Sequence, residues 1–276
     1  MHSLQQLLAG GSLNDALARV ETQIKAAPGD ADLRAAFVQL LCLTGNWTRA
    51  QTQLKSWAAL KPQAQPTVTL LEQAIRGELQ RAAVFAGQQQ PRLPGEAYSW
   101  AEQLFAALQA DIQGERTQAD ALRNAALEQA ALNPGSALLQ GTEEAQLFDW
   151  LIDGDSRLGP VCELLVNGGY FWVPFSAIAE MRFQAPASVT DLVWRHTLVR
   201  LVDGTEQVCQ VPVRYPFASD APDNLRLARL TEWQPLDEAQ QHYIGQGQKV
   251  WLNDSAEFSL LNLETLTFVA SDLADE

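Results

Sequence analysis

Two carboxylates set two residues apart, Asp153 and Asp155, with Arg157 two residues further on, are the side chains of this sequence best placed to do chemistry. They lie in the run FDWLIDGDSRLGP at 148–160. Such a pair can share a divalent cation, or it can form turns by accepting nearby backbone N–H groups and pairing with a guanidinium. As a calcium loop counted from Asp153 the run fails. Its fifth position is Arg157, its sixth Leu158 and its twelfth Leu164, where that loop needs an oxygen ligand, a glycine and a bidentate glutamate. The residues therefore read as turn formers that pair with Arg157 or Arg214. A metal-dependent hydrolase built on Asp153 and Asp155 is the alternative.

Other constellations are missing. The three histidines, His2, His196 and His242, stand far apart and offer no ligand spacing. The three cysteines, Cys42, Cys162 and Cys209, form no C-x-x-C pair and sit in apolar stretches, where a thiol packs as a small hydrophobe. No G-x-S-x-G elbow or P-loop occurs, and Gly245-x-Gly247 lacks the third glycine of a dinucleotide-binding turn. Tryptophans 150, 172, 194, 233 and 251 are more simply core than sugar site. The strings Arg214-Tyr215-Pro216 and Arg229 to Glu232-Trp233 are distinctive but name no reaction. The expectation is a non-enzymatic protein with no metal and no cofactor.

The charge distribution narrows the partners. Of the net charge of −14, residues 1–140 carry −1 and residues 141–276 carry −13. Nucleic acid needs clustered Lys and Arg, and anionic lipid repels acidic surface, so neither is an expected partner. A basic protein surface would suit the second half. The apolar runs are too short to span a bilayer, and the N-terminus lacks the basic start and apolar stretch of an export signal. A cytoplasmic location is expected.

The elements that must position these residues fall into two halves. In the first, Gly11, Ala16 and Pro28 recur as Gly45, Ala50 and Pro62, an offset of 34 residues. Gly77, Ala82 and Pro94 keep the same internal spacing, and Gly114 and Ala119 make a fourth copy with Pro134 late. Glycine can end one helix through a left-handed turn, alanine lets the next helix pack closely, and proline punctuates its end. Leu33, Phe37, Leu40 and Leu41 share one helical face, as do Leu104, Leu108 and Ile112. A helical pair of this kind cannot bury its face alone, so the units must stack. The pattern resembles degenerate tetratricopeptide repeats. In that register Gln39, Leu43, Leu104 and Leu108 face the concave, peptide-binding side, with core packing as the alternative for each leucine.

In the second half, alanine-rich sequence gives way to Trp, Val, Pro and Gly around Gly135–Gly141. Asn167-Gly168 predicts a hairpin between Val161–Val166 and Tyr170–Pro174, and Asp203-Gly204 a second between Leu192–Val202 and Glu206–Val213. In the latter, Leu192, Trp194, His196, Leu198, Arg200 and Val202 share a face, which makes His196 half-buried. Residues 223–233 read as a short helix. The fold class is α+β: tetratricopeptide-like helical repeats over 1–134, a linker at 135–145, and a mainly antiparallel β-rich acidic domain over 146–276 with one or two small helices.

The chain resembles the ImpE/TagJ (SciE-type) family. The strings that carry this are FDW at 148–150, DGDSRLGP at 153–160, NGGYFWVPF at 167–175, P-x-RYP at 212–216, LAR-x-TEW at 227–233 and G-x-GQ at 245–248, behind the degenerate repeats. One departure is Arg195-His196, where the family pattern favours proline after the tryptophan. The resemblance implies an accessory component of bacterial type VI secretion. It implies as partner the sheath subunit TssB, through a helical segment near its N-terminus, with the TssB–TssC sheath and the ClpV ATPase as further partners. No catalytic residue is implied. The peptide would dock either on the repeat face or near the motif residues Asp153, Asp155, Arg157, Arg214, Tyr215, Glu232 and Trp233. A general peptide-binding co-chaperone is a weaker alternative.

Overall fold

Serine and aspartate start the first helices of the chain. In this computed structural model, which describes residues 3–237 and 241–269, Ser3 and Ser12 form capping boxes at α1 (Leu4–Leu8) and α2 (Leu13–Ala26). Asp30 accepts the N–H groups of Asp32 and Leu33 at the start of α3 (Ala31–Leu43). The helices α4 (Trp47–Leu60), α5 (Gln65–Phe85), α6 (Ala101–Gln113) and α7 (Arg116–Gln129) complete the first half. His2 lies outside the described residues.

The 34-residue period is built where its glycines can turn. Gly45 (φ 70°) and Gly114 (φ 79°) take the left-handed conformation between α3 and α4 and between α6 and α7. Ala16, Ala50 and Ala119 are fully buried at helix contacts. The third copy departs from the expectation. Gly77 ends no helix but lies inside the 21-residue α5. A Cβ there would stand 2.8 Å from Leu165 Cδ2, so this glycine lets α5 lie close on the sheet.

The second half holds β1 (Gly135–Leu139), β2 (Gln146–Phe148), β3 (Ile152–Asp153), β4 (Val161–Val166), β5 (Gly169–Pro174), β6 (Ile178–Phe183), β7 (Trp194–Leu201) and β8 (Glu206–Pro212). After the single-turn α8 (Asp223–Arg226) come β9 (Thr231–Pro235), β10 (Tyr243–Gly247), β11 (Val250–Leu252), β12 (Glu257–Ser259) and β13 (Leu263–Phe268). An eight-stranded sheet runs β2-β1-β13-β6-β7-β8-β4-β5, with every neighbouring pair antiparallel. Sheets β12-β11-β3 and β10-β9 flank it. The hairpin at Asn167-Gly168 forms as expected, with φ 50° and 80°. One core, with Phe175, Met181, Val211, Trp251 and Phe268, fills the second half. The other joins Leu40, Leu71 and Leu104 of the helices to Leu165, Trp172 and Trp194 of the sheet, so the two halves share apolar burial.

Three local expectations are corrected. Gly135–Leu139, within the expected linker, form a strand between β2 and β13, because Gly135 and Ala137 are small enough for the inner face, where a Cβ on Gly135 would meet Thr267 O at 2.3 Å. Residues 223–233 are not one helix: α8 stops at Arg226 and β9 pairs with β10 from Thr231. In β7 the continuous buried row is Arg195, Thr197 and Val199; of the row expected to face inward, Trp194 is buried, His196 is half-buried as expected, and Leu198 and Arg200 are only half-buried. Arg195 can face inward because its guanidinium donates to the carbonyls of Gln184, Leu260, Leu261 and Leu263 at 2.8–3.2 Å.

Candidate functional site

A chain of buried charges runs from the 153–157 turn to α5. Asp153 ends β3, and its carboxylate accepts the ammonium of Lys249 at 2.6 Å. Lys249 also donates to Glu163 Oε2 at 2.8 Å, and all three side chains are fully buried. Glu163 sits mid-strand in β4 and takes Arg81 of α5 in a fork, Nε to Oε1 at 2.6 Å and Nη2 to Oε2 at 3.0 Å. Arg81 approaches Glu78 at 3.4 Å, and Trp194 Nε1 donates to Glu78 Oε1 at 3.0 Å. Trp172 donates to the Tyr170 hydroxyl at 2.7 Å, which donates to Glu163 at 2.6 Å.

The turn itself is held by the motif residues. Asp155 Oδ1 accepts the N–H and the Nε–H of Arg157 at 3.0 and 2.9 Å, and its Oδ2 accepts Gly245 N–H at 3.1 Å. The Tyr215 hydroxyl lies 2.9 Å from Asp153 Oδ1 and accepts Val250 N–H at 3.1 Å. Gly245 has no side chain because the Tyr215 ring occupies the place: a Cβ would stand 2.3 Å from it. Trp233 packs on Tyr215 with centroids 5.8 Å apart and closes over Gly154. Arg214 reaches the other way. It donates to the carbonyls of Leu43 at 2.6 Å and Cys42 at 3.1 Å, placing a cation at the C-terminus of α3, where the helix dipole favours one.

Electrostatics keep this network charged. Burial disfavours the ionised form of Glu163, but Arg81 and Lys249 outweigh it and hold the carboxyl well below its usual range. Burial likewise works against charge on Lys249, and Asp153 and Glu163 more than restore it. At Asp153 burial prevails over Lys249 and pushes the carboxyl up to about 6. Burial draws Arg214, which pairs with carbonyls rather than a carboxylate, down to about 10.

The carboxylate oxygens of this network are all engaged. Each carboxylate oxygen of Asp153, Asp155 and Glu163 has two donors. A metal would have to displace them. Among the described residues no three His, Cys, Asp or Glu side chains converge as a metal site. Asp153 and Asp155 each accept a backbone N–H within the turn, and Asp155 pairs with Arg157 rather than Arg214, while Asp153 pairs with Lys249.

The remaining expected residues divide sharply. Gln39, Leu43, Leu104 and Leu108 are 4%, 0%, 1% and 3% exposed, so they pack the core and line no open groove. Packing of α6 on α7, and of α3 on its neighbouring helices and on the turn at Val189–Leu192, has closed the face that an open repeat array would present. Of the motif residues, Asp153, Asp155, Arg214 and Tyr215 are buried and Arg157 nearly so. Glu232 is exposed and Trp233 half-exposed. A cleft of about 210 Å³ lies at the junction, with half-buried Gly45, Trp47 and Phe217 above buried Glu78, Arg81 and Arg214. Arg81, Glu163 and Lys249 escaped sequence reading. Their one visible signal was Glu163, a charge inside the apolar run 161–166 that demanded a buried partner.

Comparison with known proteins agrees with this architecture. The family model described as ImpE protein matches residues 145–267, and a tetratricopeptide repeat model matches residues 7–75. The chain is 38% identical over 269 residues to the type VI secretion system accessory component TagJ of Pseudomonas aeruginosa, covering 97% of this chain and 92% of that one. A crystal structure of a Vibrio parahaemolyticus protein superposes with a TM-score of 0.83 at 27% identity, covering 95% of each chain. The repeat match ends at residue 75, inside α5, where the regular helical pairs give way to one long helix.

Proposed function

The chain belongs to the ImpE/TagJ family, and from that premise we propose that it is a non-enzymatic adaptor of a type VI secretion system. In this reading it works in the cytoplasm and binds the sheath subunit TssB through that subunit's N-terminal helical segment. It links the TssB–TssC sheath to recycling by the ClpV ATPase. The observation that carries the reading is the full-length similarity to an accessory component of that system. The doubly occupied carboxylate oxygens support the non-enzymatic part. Because Leu104 and Leu108 are core residues, docking falls on an outer surface and not on the face the repeats first suggest.

Titration calorimetry of the whole protein against a peptide of the TssB N-terminal helix, with a scrambled peptide as control, tests this. Micromolar, sequence-dependent binding is the expected result. Equal binding of both peptides, or of many unrelated C-terminal peptides, would favour a general co-chaperone. No heat at high protein concentration would remove TssB's free helix as the partner.

A further inference from the structure

The two ends of the eight-stranded sheet are finished differently. At β5 the chain seals its own edge: Arg92 N–H donates to Tyr170 O at 3.3 Å, and Trp172 N–H to Arg92 O at 2.9 Å. The Arg92 guanidinium also lies over the Phe171 ring, 5.6 Å from its centroid. At the other end β2 is the last strand, and no described segment pairs outside it.

An open edge is a template for another strand, and proteins usually blunt it with charge, proline or a bulge. The strand Gln146–Phe148 carries none of these. Leu147 is 82% exposed, the largest value among the exposed large hydrophobics. Its register partners are Ser136 in β1 and then Thr267 in β13, which places all three in one row on the outer face. A single exposed apolar residue needs no explanation by itself, but Leu147 stands on a strand with no described partner along its outer edge.

Charge states what would cover it. Glu143, Glu144 and Asp149 flank β2 and are exposed, and no Lys or Arg occurs between Arg123 and Arg157. The chain's own last residues, 270–276, contain Asp272, Asp275 and Glu276 and no base, so like charge disfavours them as the occupant. We propose that β2 is a docking edge for an extended basic segment of a partner protein, which adds to the sheet as a ninth strand. Main-chain hydrogen bonds along β2 supply affinity. Apolar side chains of the segment cover Leu147, while its Lys or Arg side chains meet Glu143, Glu144 and Asp149. The inference does not rest on TssB binding.

Fluorescence anisotropy of the full chain with a labelled peptide KVRVTVKV, against the acidic control EVEVTVEV, tests it. The basic peptide should bind with a Kd of order 10 µM, and at least about tenfold more weakly at ~500 mM than at ~50 mM salt. The acidic peptide should not bind. Gln146→Pro should abolish binding, and Glu143→Lys with Glu144→Lys, in an exposed loop where folding is unaffected, should weaken it at least about tenfold. Hydrogen exchange should slow at residues 144–149. Equal affinity for both peptides, unchanged affinity in the charge-reversed variant, protection elsewhere, or no binding at ~500 µM would each overturn the proposal.

Discussion

Arg81 of α5 and Glu163 of β4 join in a two-point fork, at 2.6 and 3.0 Å, with neither side chain more than 6% exposed. The pair ties the helical half to the sheet half at its centre. It also explains why Glu163 interrupts an apolar strand: Arg81, Lys249 and Tyr170 all converge on it. Removing one member of such a group leaves uncompensated charge in the interior. Glu163→Gln should therefore cost about 3–5 kcal/mol in urea unfolding. A loss below about 1 kcal/mol, the range of an exposed pair, would show that the network holds nothing together.

Stability should respond to pH in two opposite ways. Glu163, with its folded carboxyl held low, contributes stability above the unfolded value of about 4.3, which is lost as the pH falls through the folded value. Asp153, raised to about 6, binds its proton more tightly in the folded state than in the unfolded one. Its contribution is fully present below about 3.9 and is lost as the pH rises through about 6, a swing of about 3 kcal/mol at about 1.4 per unit. Asp153→Asn should remove the falling limb between pH ~4 and ~6. Denaturation curves at several pH values decide it, since parallel profiles for variant and parent would contradict the assignment.

Leu104 and Leu108, on α6, are core residues. Leu104→Ala and Leu108→Ala should each cost about 2–5 kcal/mol, because each opens a cavity between helices. The thermal midpoint should fall with each substitution. A double variant that keeps the parent midpoint but loses partner binding would restore the groove that the repeat register suggests.

Divalent cations should leave the protein unmoved. With two donors on every oxygen of Asp153, Asp155 and Glu163, a cation gains no vacant ligand. Mg²⁺, Ca²⁺ and Mn²⁺ at ~1 mM should shift the melting midpoint by less than about 1 °C, since only binding to the native state stabilises it. A rise of several degrees would reopen metal chemistry at this turn.

Local signals in the sequence carried the elements and the family. Asn167-Gly168 determined a hairpin because few residues other than Asn and Gly tolerate two consecutive positive φ angles. Gly45 and Ala50 marked a helical pair because a left-handed turn and a close helix contact each demand a small residue. Ordered strings such as DGDSRLGP and NGGYFWVPF identified the family, since a buried, fully bonded turn admits few substitutions. Only the tertiary structure decided what these residues face. Gly77 repeats the spacing of Gly45 yet serves the contact of α5 with Leu165, because a missing side chain suits a turn and a close approach equally well. Leu104 and Leu108 carry a helical period that reads the same for a groove as for a core. Packing against the neighbouring helices made them core. Lys249, Glu163 and Arg81 are separated by at least 82 residues, and no local pattern pairs charges at such distances. Their meeting depends on a fold that removes all three from water together, where each requires the others' charge.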